Sequence, residues 1–469
     1  MTRESLAIAQ QAAFSSDIPI LLHWDGKMLP DIAGNKELVD RIAVLVSGGE
    51  MEQLLAVPKI GRGTGQEQCN ACLRALDDWH LKPFVQGLVF DTTASNTCLK
   101  MGACTLLEKA MDKELVWISC RHHVFEVMLS SVFSAALGTT SGPEIGLFKR
   151  FQKMWPNIGK TNFQSAGDDL FIGMPDGLRQ DMTAFYFEAI KSKSPREDYR
   201  ELLQLCHVFL DGTSLGETCF RAPGAMHNAR WMAKAIYSLK MYLFRGQIKL
   251  TTSESAGLTS ISLFVSLVYA RYWHEAPLAE RAPFNDYNLL VLLHDYPAPD
   301  IRQAAIDAFC RHLWFFSEHL VTLALFDDRV SDETKAAMVE NFARSPNHTA
   351  AKRLDKKAFN IRTPLEAYVT SRSLTLFNLL SLNGKEESQA FLTKPPALWP
   401  TDPTYLRMKA KVRLMKVVND CAERGISLIQ SYNSALTKDE TQKQYLLQLV
   451  SNHRKQFPAA TKTALKKKM

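Results

Sequence analysis

The most apolar run in the chain, Ile261 to Trp273, falls short of the roughly 18 residues a membrane-spanning helix requires, and its length suits a buried helix. The N-terminal stretch MTRESLAIAQQAAF has no basic segment followed by an uninterrupted apolar core, so no secretory signal is read there. Nine cysteines, odd in number and irregularly spaced, argue against a disulfide framework and for a reducing compartment. No repeat of fixed period recurs, which argues against a solenoid. With 46% hydrophobic and 22% charged residues the composition excludes a disordered chain. These absences leave a soluble, intracellular, globular protein as the expectation. The one bias is a formal net charge of +7 with a pI near 8.8, compatible with a polyanionic partner.

What is present centres on Val85 to Glu126. The apolar run Gly87–Phe90 ends in Asp91 and the small polar string Thr92-Thr93-Ala94-Ser95-Asn96, as a buried strand that delivers a carboxylate at a sheet edge would. A helical segment, Met101–Met111, and a second strand, Leu115–Ile118, lead into Cys120-Arg121-His122-His123. Two strands joined by a helix run parallel, so Asp91 and the Cys/His motif should share the carboxyl edge of the sheet, where α/β sheets place their sites. Upstream, Ile18–Trp24 runs into Asp25-Gly26-Lys27. Arg41–Val46 and Gln53–Ile60 read as two more strands, and Gln66–Trp79 as an amphipathic helix. Three strands, helix, strand, helix, strand is the element order of a ribonuclease-H-like domain, in which the first and fourth strands are neighbours. Asp25 and Asp91 would then sit side by side.

From about Val124 to Pro400 helical periodicity replaces strand signal, over Phe125–Leu137, Asp198–Leu210, Ala229–Phe244, Leu258–Trp273, Asp300–Phe316, Ser317–Leu325, Ser331–Phe342 and Leu365–Leu380. Such a block is too long for a loop. Tyr405–Gln430 and Lys438–Ser451 are again amphipathic helix, and the basic end with Lys466–Lys468 reads as disordered. The expected organisation is a lead-in (1–17), the first part of an α/β, ribonuclease-H-like mixed-sheet core (18–123), an all-α insertion (124–403), helices that complete the core (404–455) and a tail (456–469).

Two carboxylates on neighbouring strands and a third on a helix across them can hold two divalent cations for in-line attack on a phosphodiester. Mg2+ or Mn2+ suits such an all-oxygen site. Asp25 and Asp91 fit, with Glu423 as the third and Asp420, one turn earlier, the weaker choice. Each has a bland alternative: a lone Asp after a strand is usually a turn or cap residue, and Glu423-Arg424 on a helix a solvated pair. One Cys and two His do not complete a zinc site. Cys69-x-x-Cys72 with His80 suits core packing better than metal, and Arg230-Trp231 suits a helix anchor.

The order of these motifs resembles that of hAT-superfamily transposases, which split a ribonuclease-H-like Asp-Asp-Glu core with a large all-helical insertion. Asp91, Ser95 and Asn96 match that family's D-x-x-x-[SA]-N string, Cys120 and His123 its C-x-x-H motif, and Arg230 and Trp231 its R-W motif. Glu423-Arg424-Gly425-Ile426-Ser427 matches E-R-x-[FI]-S, and the resemblance spans about residues 18 to 450. It implies metal-dependent cleavage and strand transfer on double-stranded DNA, in the nucleus, by a homo-oligomer, with Asp25, Asp91 and Glu423 as catalytic metal ligands. Cys120 and His123 would shape the site, Trp231 would stack on a flipped base and Arg230 would hold a phosphate. No Cys/His array precedes Asp25, so the expectation is a truncated element, a domesticated derivative or a branch that recognises DNA by other means. The alternative is a catalytically silent, transposase-derived DNA-binding or scaffold protein. A ribonuclease-H-like exonuclease would need Asp420 as a fourth carboxylate.

Overall fold

The computed structural model describes residues 2–14, 18–31, 37–138, 145–192, 197–213, 220–223, 231–343, 352–380, 389–431 and 439–457. A six-stranded mixed sheet forms the α/β part of the molecule. Strand β1 (Ile20–Pro30) pairs antiparallel with β2 (Leu38–Gly48), which pairs antiparallel with β3 (Met51–Ala56) and with the two-residue β4 (Lys59–Ile60). On the other side of β1, β5 (Val85–Phe90) and then β6 (Val116–Ser119) run parallel to it, giving the order β3-β2-β1-β5-β6.

The run expected as one strand over Gln53–Ile60 is two pieces. Pro58 has no N–H to give a ladder, and its carbonyl accepts the Ile42 N–H at 3.1 Å instead.

Alternation along β2 sends Ile42, Val44 and Val46 to the larger core and Ala43 and Leu45 to a second, smaller one. The larger core lies under α2 (Gly65–Asp78), the short α3 (Ala94–Thr97), α4 (Ala103–Met111) and α5 (Arg121–Leu137), and continues into the helical block. Cys69 and Cys72 are buried there on α2, as core packing requires.

That block comprises α6 (Gly146–Met154), α7 (Leu178–Lys191), α8 (Glu197–Asp211), α9 (Trp231–Leu243), α10 (Thr252–Phe264), α11 (Ala270–Glu275), α12 (Ala282–His294), α13 (Pro299–Phe309), α14 (Asp332–Asn341), α15 (Thr375–Leu380) and α16 (Pro403–Leu414). The segment expected as one helix over Leu258–Trp273 is continuous but contains a π turn, Val265–Tyr269; the Tyr186 hydroxyl donates to the Ser266 carbonyl there at 2.6 Å. Ser317–Leu325 is turn and 3-10 structure rather than α-helix, and Leu365–Leu380 is two short 3-10 turns followed by α15. The apolar side chains of Ser317–Leu325 are all buried, so the periodicity there reports burial and not helix.

The second core lies under α17 (Asp420–Ser431) and α18 (Glu440–Gln456), through Ala422, Ile426, Ile429 and Leu447 against Leu29, Leu45, Leu54 and Val57. Each such aliphatic side chain contributes about 1.5–3 kcal/mol on burial, which outweighs the exposed ion pairs at this surface. The N-terminal α1 (Arg3–Ala12) meets α18, where the Asn452 amide donates to Gln10 at 2.8 Å. Among the described residues no helix is long and apolar enough to cross a membrane.

Candidate active site

The parallel register of β1 and β5 pairs Leu22 with Leu88 and His23 with Val89. Two residues further on come Asp25 and Asp91, so the two carboxylates leave adjacent strands at the same edge. Asp91 follows the last residue of β5, as the sequence suggests. Asp25 does not end its strand: β1 continues to Pro30, but beyond His23 only β2 accompanies it. Asp25 therefore stands where the sheet narrows to a hairpin, with β5 no longer beside it.

The polar string after Asp91 has a readable task. Asn96 is 5% exposed, and its Oδ1 accepts the Trp24 indole N–H at 2.9 Å while its Nδ2 donates to the Asp91 carbonyl at 2.8 Å. Gln68 of α2 accepts the same indole at 3.0 Å and donates to the Ser95 hydroxyl at 3.3 Å. Asn96 thus ties the backbone at Asp91 to the residue before Asp25. Gly65 makes room for this: a Cβ there would lie 2.6 Å from the Ser95 carbonyl oxygen.

Cys120 precedes α5, and Arg121-His122-His123 form that helix's first turn. Cys120 is buried, and its Sγ accepts the Asn419 N–H at 3.2 Å. Burial pushes this thiol well above its usual range, and the charges of Asp91 and Asp420 add to the effect. An enclosed sulfur that already accepts a backbone N–H suits packing. His123 lies 3.3 Å from the Asp91 carboxylate, Nδ1 to Oδ2. Burial alone would depress the imidazole, but the hydrogen bond and charge of Asp91, with the charges of Glu126 and Asp25, outweigh it and hold the value above the usual range. Glu126, one helical turn after His123, belongs to this group, and the i,i+3 spacing was its only sequence signal.

Glu423 sits on α17, which packs across β1 and β2. The sequence suggests one helix over Tyr405–Gln430; the structure breaks it at Met415–Asn419. Sheet-edge partners replace the helical hydrogen bonds there. The Val417 carbonyl accepts the Arg121 N–H at 3.0 Å, and the Asn419 amide donates to the Trp24 carbonyl at 2.7 Å. The break lets α17 turn onto the sheet. His23, which alternation places on the same side as Asp25, feels the charges of Glu52, Lys416 and Arg424, so Asp25 faces the side that α17 covers. Arg424 meets Glu52 of β3 at 2.8 Å, an ion pair in which the arginine stays largely exposed. A Cβ on Gly425 would stand 3.0 Å from that of Ala43 and 3.2 Å from Leu54, so its absence sets how closely the helix approaches.

Asp420 opens α17 with its two oxygens engaged by His122 and Tyr199, at 2.9 and 2.8 Å. Arg121 enters a buried ion pair with Asp286 of α12 at 2.7 Å, and its guanidinium lies over the Phe315 ring at 4.7 Å. Arg230 lies outside the described residues. Trp231 opens α9, its side chain outside the description.

Asp25, Asp91 and Glu423 are all-oxygen donors of the kind Mg2+ or Mn2+ takes, so the donor chemistry fits such an ion. Among the described residues, no three His, Cys, Asp or Glu side chains are gathered closely enough to hold one as they stand. The chain matches no protein-family profile, and no curated protein matches it.

Proposed function

We propose that this chain is a hAT-like DNA transposase, or a protein derived from one, with a ribonuclease-H-like core. The observation that carries the reading is the parallel register of β1 and β5, which ends at His23 and Val89 and leaves Asp25 and Asp91 two residues beyond it on neighbouring strands, on a sheet that the Glu423 helix crosses. The strand order β3-β2-β1-β5-β6, antiparallel in its first half and parallel in its second, supports it.

On this reading Asp25, Asp91 and Glu423 would hold Mg2+ or Mn2+, which supplies an activated nucleophile and neutralises charge on the phosphodiester. Asn96 holds the Asp91 backbone in line with Trp24, and Asn419 holds the start of α17 against the Trp24 carbonyl. His123 stands at the Asp91 carboxylate and would have to yield, or turn toward the substrate, as a metal enters. The partners are double-stranded DNA and further copies of the chain, and the setting is the nucleus. That same His123–Asp91 contact favours the second reading, a catalytically silent DNA-binding or scaffold derivative, since it occupies a carboxylate the chemistry needs.

Mn2+-dependent nicking of supercoiled DNA, with Asp91→Asn and Glu423→Gln alongside, separates the two. Nicking by the wild type alone is the expected result. Equal behaviour of all three proteins overturns the enzymatic reading.

A further inference from the structure

A group of side chains beside the carboxylates takes no part in the chemistry above. His122 stacks on Trp273 of α11 with ring centroids 4.2 Å apart and planes 11° from parallel. Its Nε2 lies 3.2 Å from the Trp273 carbonyl and its Nδ1 2.9 Å from Asp420 Oδ1. Tyr199 of α8 packs edge-on against Trp273 at 4.5 Å, and its hydroxyl donates to Asp420 Oδ2 at 2.8 Å. Two elements from outside the sheet, α5 and α8, therefore meet on one carboxylate, backed by Trp273 of α11, and that carboxylate sits one turn before Glu423 on the same helix.

We propose that Asp420 is a positioning residue: through Tyr199 and His122 the helical block fixes the rotation and depth of α17, and so the placement of Glu423 over the sheet edge. The assignment rests on the strand-cleavage function proposed above. It also removes Asp420 as the fourth carboxylate of an exonuclease, because both its oxygens are committed to donors that α17 does not itself supply. The block joins the sheet region at this point through charge-assisted bonds between rigid aromatic walls, a geometry that transmits small displacements rather than absorbing them. Backbone contacts of Val417 and Asn419, the Asn419 amide and the packing of Cys421 and Ala422 also hold the helix start.

The test compares Tyr199→Phe, Asp420→Asn and the double variant in the full chain. Tyr199→Phe removes one donor and keeps the ring against Trp273. Turnover in Mn2+-dependent nicking is expected to fall on the order of 10- to 100-fold in each, as for groups that orient metal ligands. KM for DNA and the Mn2+ requirement stay unchanged, and the double variant is no worse than the worse single one. Amide hydrogen exchange in α17 rises roughly tenfold or more, as loss of a hydrogen bond to a charged group implies, while α18 is unaffected. A raised Mn2+ requirement in Asp420→Asn with wild-type behaviour of Tyr199→Phe would make Asp420 a ligand and overturn the proposal. Wild-type exchange rates in both variants would overturn it too. If the wild type itself does not cut DNA, the function proposed above fails, and the exchange measurement alone decides whether Asp420 positions α17.

Discussion

At Asn96 the isosteric change should be worse than the truncation. Asn96→Ala removes an acceptor from the Trp24 indole and a donor from the Asp91 carbonyl, but strands neither: Gln68 still accepts the indole at 3.0 Å, and the Thr93 N–H still meets the carbonyl at 2.8 Å. Two lost bonds at about 1 kcal/mol each and a void of a few atoms at about 1 kcal/mol put the cost near 3 kcal/mol. Asn96→Asp keeps the indole bond but aims a carboxylate oxygen at the Asp91 carbonyl and places a charge at a site only 5% exposed. An uncompensated buried charge costs several kcal/mol, so the aspartate variant should be the less stable at pH 7.5. Burial raises the new carboxyl, and once protonated it can donate to the carbonyl, so the two variants should converge as pH falls toward 5. Urea unfolding followed by tryptophan fluorescence measures this, with Trp24 as a local reporter. An aspartate variant that equals or exceeds the alanine variant at pH 7.5 refutes the reasoning.

Three further outcomes are expected. Gly425→Ala should destabilise by about 1–3 kcal/mol through its contact with Ala43, despite the roughly 1 kcal/mol that alanine gains over glycine in a helix; equal or higher thermal stability would show that α17 can lift off without cost. Asp286→Ala, which leaves Arg121 buried and unpaired, should cost about 3–5 kcal/mol, and adding Arg121→Met should recover much of it in denaturant titrations. Burial holds His23 neutral down to about 4 against an unfolded value of 6.5, and His312 and His319 likewise. These depressed values give stability that is fully present above about pH 6.5 and lost as pH falls toward 4. The unfolding midpoint should drop through that window, with His23→Gln flattening part of the slope.

The sheet was legible because its signals are local. Val85–Phe90 is a short apolar run with a polar stop, and the Thr64 cap and apolar face of α2 lie within a few residues of one another. Asp25 was harder to place, because its position depends on which neighbour accompanies β1: β5 leaves at His23 and β2 stays to Pro30. The break at Met415–Asn419 carried no signal. The amphipathic pattern runs through it, and the partners that replace its helical bonds, Arg121 and Trp24, lie some three hundred and four hundred residues upstream. Asp420 was weighed as a ligand for the same reason, its real neighbours being 298 and 221 positions away. The 3-10 turns of Ser317–Leu325 were lost to uniform burial, which gives no period to read.

The face of the sheet under α17 and α18 is closed by residues made long after the strands themselves. Cys120 and its partner Asn419 are 299 positions apart, and at 5–20 residues per second a ribosome takes roughly 15–60 s to cover that distance. For that interval Leu29, Leu45, Leu54 and Val57 have no helix to cover them, and β3 stands at the sheet's margin. A nascent chain stalled before Asp420 presents a bare apolar sheet face, a natural target for chaperones. The Glu423 helix is in that sense a completion signal, since it can cover the sheet only in a molecule that has been made through α17.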